Sequence, residues 1–71
     1  MLKNALKVER ARRDLTQAAL AGLVGVSRQT INAIELGKFI PSTVLALKIA
    51  HVFEMSVHDV FELEERDWLK P

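Results

Sequence analysis

Thr16–Lys38 reads TQAALAGLVGVSRQTINAIELGK. Thr16 suits the N-cap of a helix, because its hydroxyl can accept from an orphan N–H of the first turn. Leu20, Ala21 and Val24 follow at helical spacing and mark one buried face. Gly25 supplies the left-handed backbone that ends a helix at low cost. Ser27 then caps a second helix, Ile31 and Ile34 turn inward from it, and Gly37 ends it. Two helices that cross steeply need a small residue at their contact and a tight turn between them. Ala21 and Gly25 meet those needs, and Val26 plugs the space between the helices. Arg28, Gln29 and Asn32 remain on the outer face of the second helix, near its N-terminal end. A helix-turn-helix presents its second helix to the DNA major groove in this way.

The flanking sequence continues as helices with short punctuation. A first helix is expected from about Asn4 to Arg13, with Leu2, Ala5 and Leu6 beginning its apolar stripe and Asp14 at the turn. Pro41 and Ser42 start a fourth helix, which buries Leu45, Ile49, Val52 and Phe53. Ser56 caps a short fifth helix containing Val57, Val60 and Phe61. No strand-like alternation occurs in residues 4–61, and three glycines and two prolines leave little scope for long loops. The expected fold is all-α, with five helices in one domain spanning residues 1–71: a core of 4–61 and a tail of 62–71.

Seventy-one residues give one small core, so tight helix packing, a partner subunit or a metal must supply stability. The chain has no cysteine, which excludes disulfides and thiolate metal sites. Lys3 and Lys7 interrupt any signal-like apolar run, and no stretch approaches the roughly 20 apolar residues of a membrane helix. A cytoplasmic location is therefore expected. The net charge of +1 conceals an asymmetry. Residues 1–40 carry seven basic and three acidic side chains, and residues 41–71 carry three basic and six acidic ones. A basic half and an acidic half imply a nucleic-acid face and a remote face of different use.

The chemistry of the outer face fits that division. Arg pairs with guanine edges, and Gln or Asn with adenine edges, so Arg28, Gln29 and Asn32 are the expected base readers. Thr30 can reach a phosphate oxygen. Gln17, with the exposed N–H groups of a helix N-terminus, suits another phosphate. Arg12 and Arg13 read as solvated. His51 and His58 stand seven residues apart without a matched carboxylate set, so they read as surface or interface residues rather than metal ligands. Ser27 lacks a His–Asp arrangement, and capping explains it. No paired carboxylates, phosphate loop or nucleophile constellation suggests an enzyme, and nothing points to a cofactor, a metal or a small-molecule effector. Glu62, Glu64, Glu65 and Asp67 read as a solvated acidic tail. Trp68 calls for a packing partner, and three are open: the domain's own surface, a second subunit, or a short ribbon pairing the tail with residues 1–3.

LTQAALA (15–21), VGVSRQTI (24–31), AIELGK (33–38), Pro41–Ser42 with ALKIA (46–50), and VFEMSVHDVF (52–61) together resemble the phage-repressor and Cro type of helix-turn-helix regulator, the XRE family. The likeness extends over about residues 4–61 and is nearest to small single-domain bacterial members. It implies a five-helix domain that binds palindromic operators as a homodimer and regulates transcription. By that resemblance Gln17 contacts a phosphate, Arg28, Gln29 and Asn32 face bases, and Thr30 and Lys38 lie by the DNA backbone. It also implies a structural ion pair between Arg10 and Glu35, pinning the first helix to the reading helix. Several positions depart from the family pattern. Glu9 stands where an apolar residue is usual, with Val8 expected to supply the packing instead. Asp14 and Glu54 stand where glycine or asparagine is common, and Leu36 replaces a polar or basic residue. The apolar residues Val57, Phe61, Leu63 and Trp68 exceed what so small a core can cover and form the expected dimer surface. A second reading is a protein-interaction module, such as the antitoxin of a toxin–antitoxin pair.

Overall fold

Four of the five helices end in the same backbone motif. The computed structural model describes residues 2–69; Met1, Lys70 and Pro71, which belong to the expected ribbon and tail, lie outside the described residues. The elements run β1 (Lys3–Asn4), α1 (Leu6–Arg12), α2 (Gln17–Val24), α3 (Arg28–Glu35), α4 (Thr43–Val52), α5 (Val57–Val60) and β2 (Phe61–Glu62), followed by a 3₁₀ turn at Glu65–Trp68. The expected five helices are present. After α1 to α4 the chain passes through Asp14, Gly25, Gly37 and Glu54, with φ of 51°, 77°, 73° and 55°. The next N–H in each case reaches back five residues: Leu15 to Arg10 O at 3.0 Å, Val26 to Ala21 O at 3.0 Å, Lys38 to Ala33 O at 2.9 Å and Met55 to Ala50 O at 3.0 Å. These are Schellman closures, and they satisfy carbonyls that the helix would otherwise leave open.

The N-termini are as regular. Thr16, Ser27, Ser42 and Ser56 accept from Ala19 N, Thr30 N, Leu45 N and His58 N. Each such cap contributes about 1 kcal/mol. The C-terminal positions are less well filled, because Glu54 holds a left-handed conformation that costs an L-residue about 1–2 kcal/mol. It also places a carboxylate at the negative end of α4. Glu54→Gly is expected to stabilise the domain by about 1 kcal/mol, the relief being partly offset by the greater freedom of unfolded glycine. The opposite exchange suits Gly22, in the middle of α2, where an added Cβ would meet nothing within 4 Å. Gly22→Ala is expected to stabilise by roughly 0.5–1 kcal/mol. Urea denaturation of the two variants checks both; a loss of stability in either contradicts the local account.

The first helix begins later than the periodicity suggests. Asn4 lies in β1, its side-chain amide donates to Ile34 O at 2.9 Å, and its Oδ1 accepts from Leu6 N at 3.2 Å. One side chain thus starts α1 and ties it to the end of α3, which takes Asn4 out of the helix. The ribbon is antiparallel, with Lys3 opposite Glu62 and Asn4 opposite Phe61. Ala5 N to Val60 O at 2.9 Å continues it. Trp68 takes no part in this pairing and is 74% exposed. Its packing on the domain's own surface, one of the three placements open from sequence, is therefore not what the chain does.

Every helix contributes to one core, through Leu6, Leu20, Ile31, Ile49 and Val60, with Phe53 at the C-cap of α4. Glu9 corrects the reading of α1. Val8 is 54% exposed and supplies no replacement packing, whereas Glu9 itself is buried at 7%. Its carboxylate meets Arg13 Nη1 at 2.9 Å and Arg12 Nη1 at 3.4 Å. Arg13 also donates to Phe53 O at 2.6 Å and stacks 4.9 Å over the Phe53 ring. Arg13 stays exposed, as the sequence suggested, but these contacts anchor it to the protein. A buried carboxylate is tolerated at this position because one guanidinium neutralises it and caps the end of α4 at once.

Candidate nucleic-acid interface

The geometry of α2 and α3 follows from their caps and their turn. Gly25, in the left-handed conformation, ends α2, and its N–H bonds to Ala21 O. Ala21 is buried, and Val26 packs partly against the core. This turn brings α3 across α2 with Ile31 and Ile34 inward. Arg28, Gln29 and Asn32 are exposed together on the opposite side of α3. Thr30 is half-buried, and its hydroxyl lies 3.0 Å from Ser27 Oγ. Lys38 is exposed directly after the Gly37 closure of α3.

Arg10 and Glu35 form a two-pronged ion pair behind this face. Arg10 Nε donates to Glu35 Oε2 at 2.8 Å and Nη2 to Oε1 at 3.1 Å, with side chains 16% and 6% exposed. The third prong, Nη1, donates to Leu15 O at 2.8 Å, in the turn before α2. One guanidinium thereby fixes α1, the entry to α2 and the end of α3 relative to each other. Burial pushes the Glu35 carboxyl up, but hydrogen bonds from Arg10 and Gln17 and the charges of Arg10 and Lys7 outweigh it and hold it below the usual range. The hydrogen bond that Arg10 donates to Glu35 raises the guanidinium further above its ordinary value, against the opposing effect of burial.

Gln17 sits at the junction of this pair and the outer face. Its Nε2 donates to Glu35 Oε1 and to Asn32 Oδ1, both at 3.1 Å, and its Oε1 accepts from Arg28 Nη1 at 3.1 Å. Three of the residues picked from the sequence for DNA contact are thus joined in one network with the ion pair, whereas Gln29 and Lys38 stand outside it. Lys7 was passed over in the sequence. It is exposed on α1, and its charge helps hold the Glu35 carboxyl down. Leu36, Phe39 and Ile40, which flank Lys38 in the sequence, are also exposed, and helical periodicity could not reveal this because they lie in the segment after α3.

The expected dimer residues divide. Phe61 is only 8% exposed and Val57 packs against the core, so both serve the domain's own interior first. Leu63 and Trp68 are exposed, and so are Leu23 of α2 and Val44 and Leu47 of α4, which sequence patterning did not single out. Leu2, Ala46, Leu47, Val57, Phe61 and Leu63 line one groove along α4, α5 and β2. Among the described residues no helix is long and apolar enough to cross a membrane, and no group of three or more His, Asp or Glu side chains is disposed to hold a metal ion.

A capped two-helix turn with a polar outer face, inside five helices, defines the class: the chain belongs to the helix-turn-helix family, of the XRE type, and a model of that family matches residues 6–60. It is 50% identical over 66 residues to the uncharacterized HTH-type transcriptional regulator YgzD of Bacillus subtilis, covering 93% of this chain and 100% of that one. It is 53% identical over 64 residues to an uncharacterized HTH-type transcriptional regulator of Methanocaldococcus jannaschii, covering 90% and 97%. The fold is similar to the crystal structure of a candidate DNA-binding protein from Bacteroides fragilis, with a TM-score of 0.78 and 27% identity over 87% of this chain and 100% of that one.

Proposed function

We propose that the protein is a sequence-specific DNA-binding transcriptional regulator, not an enzyme, and that it acts as a repressor on a palindromic operator. The observation that carries this reading is the exposed face of Arg28, Gln29 and Asn32 on α3, held by a capped turn and a buried ion pair. Helix α3 enters the major groove with these three side chains toward base edges. Thr30, Lys38 and the backbone N–H at Gln17, at the N-terminus of α2, take the sugar–phosphate backbone. A homodimer sets two half-sites about one DNA turn, roughly 34 Å, apart. Leu63, in the groove lined by Val57, Phe61 and Leu47, and the exposed Trp68 supply the apolar area for that contact.

The test is selection of random duplex DNA on the purified protein, with the winner's affinity followed against salt. An enriched palindrome with half-sites one turn apart is expected. Weak, salt-sensitive, sequence-blind binding overturns the reading. On the selected site, Gln29→Ala is expected to cost about 1–3 kcal/mol and to relax preference at one base position. Lys38→Ala is expected to weaken binding on every sequence and to flatten the salt dependence by about one counterion. An equal loss on all sequences for the first, or an unchanged salt slope for the second, contradicts the corresponding role.

A further inference from the structure

The amide of Gln17 can take only one orientation. Arg28 is a donor without an acceptor, and its Nη1 lies 3.1 Å from Gln17 Oε1. Glu35 is an acceptor without a donor when ionised, and its Oε1 lies 3.1 Å from Gln17 Nε2. Turning the amide over would set nitrogen against guanidinium and oxygen against carboxylate. The second hydrogen of Nε2 goes to Asn32 Oδ1 at 3.1 Å. Asn32 therefore has its carbonyl drawn back onto the protein. Its Nδ2 makes no hydrogen bond among the described residues and is the group left to offer.

We propose that Glu35, acting through Gln17, fixes the amide polarity of Asn32, so that Asn32 meets DNA as a hydrogen-bond donor. This inference rests on the reading of Asn32 as a base contact and adds which chemistry it recognises. A donor in the major groove matches guanine best, with acceptors at N7 and O6, and matches cytosine worst, whose N4 amino group is itself a donor. Glu35 and Gln17 are positioning residues for that choice, and Arg10 holds Glu35 in place with two hydrogen bonds. The pair that joins α1 to α3 thus also sets the hydrogen-bond pattern of the outer face.

The experiment compares DNA selection by the wild type, Asn32→Ala and Gln17→Leu, with unfolding midpoints measured on all three. Gln17→Leu removes the relay and leaves the Arg10–Glu35 pair intact. The wild type is expected to favour guanine over cytosine at one position by about tenfold or more. Asn32→Ala identifies that position by losing the preference there. Gln17→Leu is expected to reduce the preference at that position below about threefold, while the position that responds to Gln29→Ala keeps its discrimination and the protein stays folded. If Asn32→Ala leaves every preference unchanged, Asn32 reads no base and the underlying assignment fails. If Asn32→Ala abolishes a preference that Gln17→Leu retains, the assignment stands and the relay is overturned. A wild-type preference for cytosine at that position overturns it as well.

Discussion

Arg10→Met is expected to destabilise the domain by about 3–5 kcal/mol, because it leaves the Glu35 carboxylate buried without its partner. Domains of this size have roughly 0.05–0.15 kcal/mol of stability per residue, so this change removes much of the total. Methionine keeps the length and apolar volume of the side chain, so the loss reports the charge and the hydrogen bonds rather than a cavity. The pH dependence follows from Glu35, whose ordinary pKa of 4.5 is lowered in the folded state. A lowered carboxylate contributes stability that is fully present above the unfolded value and is lost as pH falls through the folded value. Wild type and Arg10→Met should therefore differ most at neutral pH and converge in acid, once pH has fallen through the lowered folded value. Urea denaturation across that range measures it. A gap that stays constant into acid contradicts the assignment of the loss to Glu35. Changing both partners to apolar residues of similar volume should recover much of the stability, since a buried pair is worth little against good packing.

Phe53→Ala is expected to cost about 3–5 kcal/mol, from lost apolar burial and the cavity left behind. Phe53 is 1% exposed and stands where α4 closes. Its ring also carries the Arg13 guanidinium, which in turn neutralises Glu9. The alanine variant therefore loosens the polar cluster as well as the core, whereas Phe53→Leu keeps most of the volume and should cost considerably less. Thermal unfolding of the two separates these effects. Equal losses in both variants would show that aromatic stacking, not volume, dominates at this position.

The helix-turn-helix was legible because each of its boundaries is written in a residue with a local job. Thr16, Ser27, Ser42 and Ser56 satisfy N–H groups in their own first turns, so sequence neighbours suffice to find them. Asp14 and Glu54 were found at glycine positions through family likeness, and both have the positive φ that this placement requires. The Arg10–Glu35 pair also came from likeness, since nothing local joins residues so far apart in the chain. The fate of Glu9 was beyond local reasoning. Its i,i+4 spacing to Arg13 was visible, but burial depends on Phe53 O arriving from α4. Gln17 shows the same limit. Its place at a helix N-terminus was plain, and its position between Arg28, Asn32 and Glu35 exists only once α3 lies across α2.

The pairing of Lys3–Asn4 with Phe61–Glu62 closes almost the whole chain into a single loop. Its strands are two residues each, far too short to persist alone. The entropy of closing so large a loop must be met before any ribbon bond forms. The helices meet over shorter loops, as at Arg10–Glu35 and Arg13–Phe53, and can assemble ahead of it. The ribbon is therefore expected to be the last piece of the domain to form and the first to open. The backbone amide of Ala5, bonded to Val60 O, should exchange with solvent through that small opening rather than through global unfolding.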